Sequence, residues 1–174
     1  MKRVLMTTFA LMLLASIASA NGGHGGAGGG DFGRDGGGAI VGSDGTLYIT
    51  RTTSDSGTNT ATTTVTAVRS TGTVAWTATL NTRGRLTLSD GVLISAVETR
   101  ATDGTVTTAL TALNTATGAA AWTKTLSGDV TEIVPFTGGT YAIVVVPATT
   151  SGGTATRSIV AISNTGATLW TLAV

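Results

Sequence analysis

Few side chains in this 174-residue chain could do chemistry, and their spacing limits each of them. The single histidine, His24, stands with Asp31 and Asp35 in a stretch where 11 of the 18 residues from Asn21 to Gly38 are glycine. Three ligands on such a segment could converge on a metal ion only at a large ordering cost, because glycine loses the most conformational freedom. The stretch reads instead as a flexible linker. It is not a phosphate loop either, since no strand is expected before it and no helix after it. Ser54-Asp55-Ser56-Gly57-Thr58-Asn59 offers one carboxylate where a calcium loop needs several, and reads as a solvated turn. Glu98 and Glu132 fall near strand ends 34 residues apart, and nothing in the sequence pairs them for acid–base catalysis. Asp44, Asp90, Asp103 and Asp129 mostly precede glycine or sit in loops, where an Asx turn accounts for them. Arg83 and Arg85 flank Gly84 in a further turn. There is no nucleophile elbow and no His-x-x-x-His pair, so the expectation is no catalytic residue, no cofactor and no metal site.

What recurs is structural. Trp76, Trp122 and Trp170 are 46 and 48 residues apart, and each has a glycine four residues upstream, at Gly72, Gly118 and Gly166. Thr71, Thr117 and Thr165 precede those glycines. Ala67-Val68, Ala112-Leu113 and Ala161-Ile162 lie further upstream, with Leu80, Leu126 and Val174 downstream. A fixed period of this length signals stacked supersecondary units. Each unit reads as four short strands. The first takes Ala39 to Gly42, Leu47 to Thr52, Thr63 to Val68 and Val74 to Leu80. The second takes Leu86 to Leu88, Val92 to Glu98, Thr107 to Leu113 and Ala119 to Leu126. The third takes Ile133 to Phe136, Tyr141 to Val146, Ser158 to Ile162 and Thr168 to Val174. Asp44-Gly45, Asp90-Gly91 and Gly138-Gly139 supply the positive φ angles of tight hairpins. The 38 threonines, more than a fifth of the chain, favour strand because a branched β-carbon suits a pleated sheet.

In the last strand, simple alternation puts Val74, Trp76, Ala78 and Leu80 on one face and Thr73, Ala75, Thr77 and Thr79 on the other. Trp170, Leu172 and Val174 repeat the pattern, and Lys124 is the odd member of the second unit. Four-stranded sheets with an apolar face must stack to cover it. The expected fold is therefore all-β: three four-stranded antiparallel meander blades forming a partial β-propeller. The expected organisation is a signal peptide over 1–20, a glycine-rich linker over 21–38, and blades at about 39–80, 86–126 and 132–174.

The segment Ala112-x-Asn114-x-x-Thr117-Gly118-x-x-x-Trp122 resembles the tryptophan-docking repeat of pyrroloquinoline-quinone (PQQ)-type β-propellers. Ala67 to Trp76 and Ala161 to Trp170 are similar but one residue shorter before the Thr-Gly pair. The resemblance covers roughly Ala39 to Val174. It implies that the indoles pack between neighbouring blades and over the glycine turn, so that Trp76, Trp122, Trp170, Gly72, Gly118 and Gly166 are structural docking residues. Members of that family are either quinone-dependent dehydrogenases with a calcium site and often a vicinal cysteine pair, or non-catalytic scaffolds. A chain without cysteine and with three blades does not match the enzymes.

Composition fixes the surroundings. Lys2 and Arg3, an apolar run from Val4 to Ile17, and Ala18-Ser19-Ala20 have the form of a secretory signal with cleavage before Asn21; an uncleaved anchor is the alternative. The apolar run is short of the ~20 residues that span a bilayer, and no later segment approaches that length. With no cysteine, a lipid-modified anchor, a disulfide scaffold and a zinc-thiolate site are excluded, and the composition does not suit a coiled coil. The formal charge is +1, and without Lys2 and Arg3 it is 8 minus 9, or −1, which leaves no basic surplus for nucleic acid. The expectation is an exported periplasmic or extracellular module that is not an enzyme. It would act as a protein interaction or scaffold domain. A threonine-rich cell-surface structural or adhesive protein and a remnant of a PQQ-dependent dehydrogenase are the alternatives. A twelve-strand membrane barrel would need aromatic girdles and longer strands. Three blades fall short of the four to eight that usually close a ring. The outer faces of the first and third units, with Leu47, Ile49, Tyr141, Ile143 and Val145, should then lack a neighbour. Self-association head to tail, or docking to another propeller fragment, follows as the expected partner chemistry, beside the reading that the chain is a truncated piece.

Overall fold

A computed structural model of the chain describes residues 38–55, 60–80, 85–148 and 153–174. The expected signal peptide, nearly all of the glycine linker with His24, Asp31 and Asp35, the turn residues 56–59 and Arg83 lie outside the described residues. Twelve strands form three separate four-stranded antiparallel sheets. The first contains β1 (Ala39–Val41), β2 (Leu47–Asp55), β3 (Thr60–Val68) and β4 (Val74–Leu80). The second contains β5 (Arg85–Ser89), β6 (Val92–Arg100), β7 (Val106–Asn114) and β8 (Ala120–Ser127). The third contains β9 (Asp129–Phe136), β10 (Gly139–Val146), β11 (Thr156–Ser163) and β12 (Thr168–Ala173). In each sheet the strands neighbour in chain order, as a meander. Among the described residues there is no helix.

The turns follow from their residues. Gly45, Gly91 and Gly138 have φ of 78°, 83° and 93°, and Asp90 reaches 31°, the left-handed region that asparagine, aspartate and glycine tolerate. Gly139 instead opens β10, where a side chain would collide with the Ile162 carbonyl.

Each sheet carries one matched row. In the first, Ile40 faces Tyr48, Tyr48 faces Ala67 and Ala67 faces Trp76. The second has Thr87, Ile94, Ala112 and Trp122, and the third Val134, Tyr141, Ala161 and Trp170. The three alanines are fully buried, because a methyl group leaves room for the indole alongside. Immediately beyond each alanine the register shifts by a β-bulge, between Ala67 and Val68, Ala112 and Leu113, and Ala161 and Ile162. An inserted residue breaks the two-residue alternation. Val74 therefore pairs with Val68 and leaves the face of Trp76, which corrects the alternation expected from sequence.

Two apolar cores hold the sheets together. Ile40, Tyr48, Val65 and Ala67 of the first unit pack with Leu86, Leu93 and Leu113 of the second. Val92, Ile94, Leu110 and Ala112 of the second pack with Ala142, Val144, Val160 and Ile162 of the third. Each large aliphatic side chain so buried contributes about 1.5–3 kcal/mol of transfer free energy. The middle sheet is thus covered on both faces and the outer two on one. The stack does not close on itself; it is a partial, propeller-like arrangement of three blades.

Candidate functional site

The contacts between units define which groups the ends of the stack leave uncovered. Trp76, on β4, is held over Ala67 and directed at the second unit. Its Nε1 donates to the Thr115 carbonyl at 2.8 Å. Its ring lies on Gly118, where an added Cβ would come within 2.5 Å of Cε3. Trp122 repeats the arrangement one unit on. Its Nε1 donates to the Asn164 carbonyl at 2.9 Å, and a Cβ on Gly166 would meet its Cγ at 2.9 Å. Gly118 and Gly166 have φ of 73° and 84°, so glycine is required there both by the backbone and by the indole above it. Each tryptophan therefore covers the glycine turn of the following unit, 42 or 44 residues ahead, and not the glycine four residues upstream in its own unit. Lys124 adds a bond from Nζ to the Gly166 carbonyl at 3.2 Å.

Polar bridges reinforce the second contact. Ser89 Oγ donates to the Gly139 carbonyl at 2.7 Å. Asp90 Oδ2 accepts from the Gly138 amide at 3.0 Å and from Asn164 Nδ2 at 3.1 Å. The other Asp-Gly turns look inward: Asp44 accepts from the Thr46 amide and hydroxyl, and Asp103 from the Thr105 amide. Those bonds favour the ionised form, so both carboxyls sit below the usual carboxylate range, the backbone amide being the larger cause. The difference lies in the turn: Asp90 sits at positive φ in a two-residue hairpin between Ser89 and Val92, a backbone that Asp44 and Asp103 do not adopt. The Asp90 carboxylate bridges units instead. Burial raises the Tyr48 phenol, with the Asp44 carboxylate adding to the shift.

At the two ends the same parts are unmated. Trp170 has no unit in front of it among the described residues and is 45% exposed, whereas Trp76 and Trp122 are half-buried. Gly72, with φ of 82°, has open space where a neighbour's indole would lie. The outer face of the third unit carries an aromatic cluster: Phe136 stacks on Tyr141 at 4.4 Å between ring centroids, and Tyr141 meets Trp170 at 5.6 Å. These are half of the six aromatic residues in the described part of the chain. Leu172 and Val174 stand exposed beside them, with Ile143 and Val145 half-buried in the same face. The outer face of the first unit shows Val41, Ile49 and Val74, with Leu47 half-buried among them. Among the described residues every exposed large hydrophobic belongs to the first or third unit, and none to the middle one.

The remaining polar candidates stay apart. Glu98 pairs on the surface with Arg100 at 3.3 Å, Glu132 is exposed on β9, and Asp129 begins that strand. Among the described residues no three His, Cys, Asp or Glu side chains gather where a metal could sit, and no helix is long and apolar enough to cross a membrane. No family model matches the chain, and no curated protein matches its sequence.

Motif reading passes over Phe136 as a contact residue, and it reads Asp90 as a turn residue without its bridge to the third unit. Phe136 lies outside the repeated Trp-Gly pattern. The carbonyl acceptors at Thr115 and Asn164 have no sequence signature at all, because every residue carries one.

Proposed function

We propose that the chain is an exported, non-catalytic module with PQQ-type tryptophan-docking repeats, and that it works by binding protein through the outer faces of its end units. The observation that carries this reading is the uncovered cluster of Phe136, Tyr141 and Trp170, flanked by exposed Leu172 and Val174. Exposed aromatic and aliphatic groups gathered on one face mark association sites, where such side chains supply most of the binding energy. Support against a dehydrogenase comes from composition: the one histidine is His24 and there is no cysteine. Export rests on the signal-like Met1 to Ala20.

A photo-reactive amino acid placed in living cells at position 141 or 170, with position 123 on the middle unit as control, tests the reading. Protein adducts are expected from the first two and few from the third. Equal yields at all three positions, or none, would overturn it. Saturable quinching of tryptophan fluorescence by a quinone with calcium would instead restore the dehydrogenase alternative. Cell fractionation with surface proteolysis reports the compartment, and a cytoplasmic chain would end the export claim.

A further inference from the structure

The two uncovered ends are the two halves of a contact that the chain already makes twice. The turn at Gly72 matches in hydrogen bonding the turn at Gly166, which receives Trp122. Gly72 N donates to the Arg69 carbonyl at 2.8 Å and Arg69 N to Thr73 at 2.9 Å. Gly166 N donates to Ser163 and Ser163 N to Ala167, each at 2.9 Å. The φ angles are 82° and 84°. Ser70-Thr71-Gly72 stands where Asn164-Thr165-Gly166 stands, so the Ser70 carbonyl occupies the place of the acceptor that Trp122 uses. Trp170 is the remaining indole, on a strand with the same pairing to a buried alanine and the same bulge. Leu172 holds the position of Lys124 and is exposed, so that end is more apolar than the contact formed inside the chain.

We infer that the occupant of each end is a second copy of this chain: Trp170 of one copy seats over the Gly72 turn of the other, with Nε1 donating to the Ser70 carbonyl. This rests on the interaction reading above and names its partner. Tail meets head, so the contact is heterologous and forms a ring only where the rotation closes. Rings of propeller blades usually hold about four to eight. The described residues of one chain form three, and the one multiple of three in that range is met by two copies. The assembly is therefore a two-copy ring of six units, with two internal joints in each chain and two equivalent seams between the chains.

Light scattering across a concentration series, on the chain as the cell processes it, reads the outcome. The expected mass is twice that of one chain. Trp170→Lys and Val74→Lys each change a residue that is already exposed, so both variants should keep the far-ultraviolet circular dichroism of the parent while falling to a single-chain mass. Mixed together, they retain one intact seam between them and should pair again, at higher concentration than the parent requires. A parent that stays at one chain mass overturns the inference, and a dimer that survives Val74→Lys does so too, because association would then run through the third unit alone. Mass that grows without limit overturns the ring. Cellular adducts from position 170 that contain only a different protein would remove the self-pairing and leave the interaction reading standing. No adducts together with a single-chain mass would remove both.

Discussion

Trp122 and Trp170 hold the same place in two consecutive units, each opposite a buried alanine and just after a bulge in its own strand, yet they live in different surroundings. Trp122 has a carbonyl to donate to, a glycine to lie on and a unit beyond it. Trp170 has an equivalent strand beneath it and, among the described residues, no unit in front. Gly166 and Gly72 make the complementary pair: equal turns, one covered by an indole and one open. Geometry within a unit thus does not decide whether a tryptophan is buried. The neighbouring unit does, and the energetics of identical motifs should differ accordingly.

The largest difference is expected from the indoles themselves. Trp122→Ala should destabilise the chain by about 2–4 kcal/mol, the lower part of the range for deleting a large aromatic, because the indole is half-buried. Trp170→Ala, measured by urea unfolding at concentrations where the chain is dissociated, should cost no more than about 1 kcal/mol. Equal midpoint shifts would break the comparison. The glycines come next. Gly72→Ala and Gly166→Ala both place a side chain at positive φ, a strain of about 1–2 kcal/mol. Only Gly166→Ala also drives a methyl group into Trp122, which adds about 1–3 kcal/mol of overpacking. Thermal unfolding of the two variants measures that gap, and its absence would mean the Gly166 turn can retreat from the indole.

A smaller effect separates the aspartates. Asp90→Asn keeps the positive φ but replaces a charged acceptor that joins two units, and should cost about 1 kcal/mol. Chemical denaturation checks this, with Asp44→Asn as the within-unit control that loses less. The smallest effect is with pH. Asp44 and Asp103 have lowered folded values, so their contribution is complete above about pH 4 and is lost as pH falls through those values. Tyr48 is raised, so its contribution is complete below about pH 10 and is lost as pH rises through its folded value. Urea midpoints should decline at both extremes. The acid decline should be shallower in Asp44→Asn, and an unchanged acid limb would show that the Thr46 bonds do not persist in solution.

The all-β class and the three four-stranded meanders were legible because period-two patterning, threonine content and Asp-Gly turns are local signals that agree with one another. What was not legible is what depends on a second unit. The face of Val74 was misread because a bulge leaves no mark in composition, and alternation carried through it gives the wrong side. The glycine beneath each indole could not be assigned from spacing, since a glycine four residues upstream and one in the next unit are equally available to the eye. Asp90 looks like its relatives in sequence, because its positive φ and its partners in the third unit leave no mark in the Asp-Gly pair. Ser95 Oγ, buried without a partner in the second unit, has no counterpart in any motif.

The bulge beside each Ala–Trp pair has a consequence for how the chain finds its fold. On the outer face of Thr60–Val68, Thr60, Thr62, Thr64 and Thr66 follow one another, so on that face a slip of two residues would exchange one threonine for another. A bulge is a singular point in an otherwise periodic ladder. It can form at one alignment only if alanine, indole and the following branched residue are all in step, so a slipped hairpin loses the indole's seat along with its bulge. Three such points, one per sheet, make misaligned intermediates poor competitors during folding, and they do so in a sequence whose repetition would otherwise invite mispairing between neighbouring units.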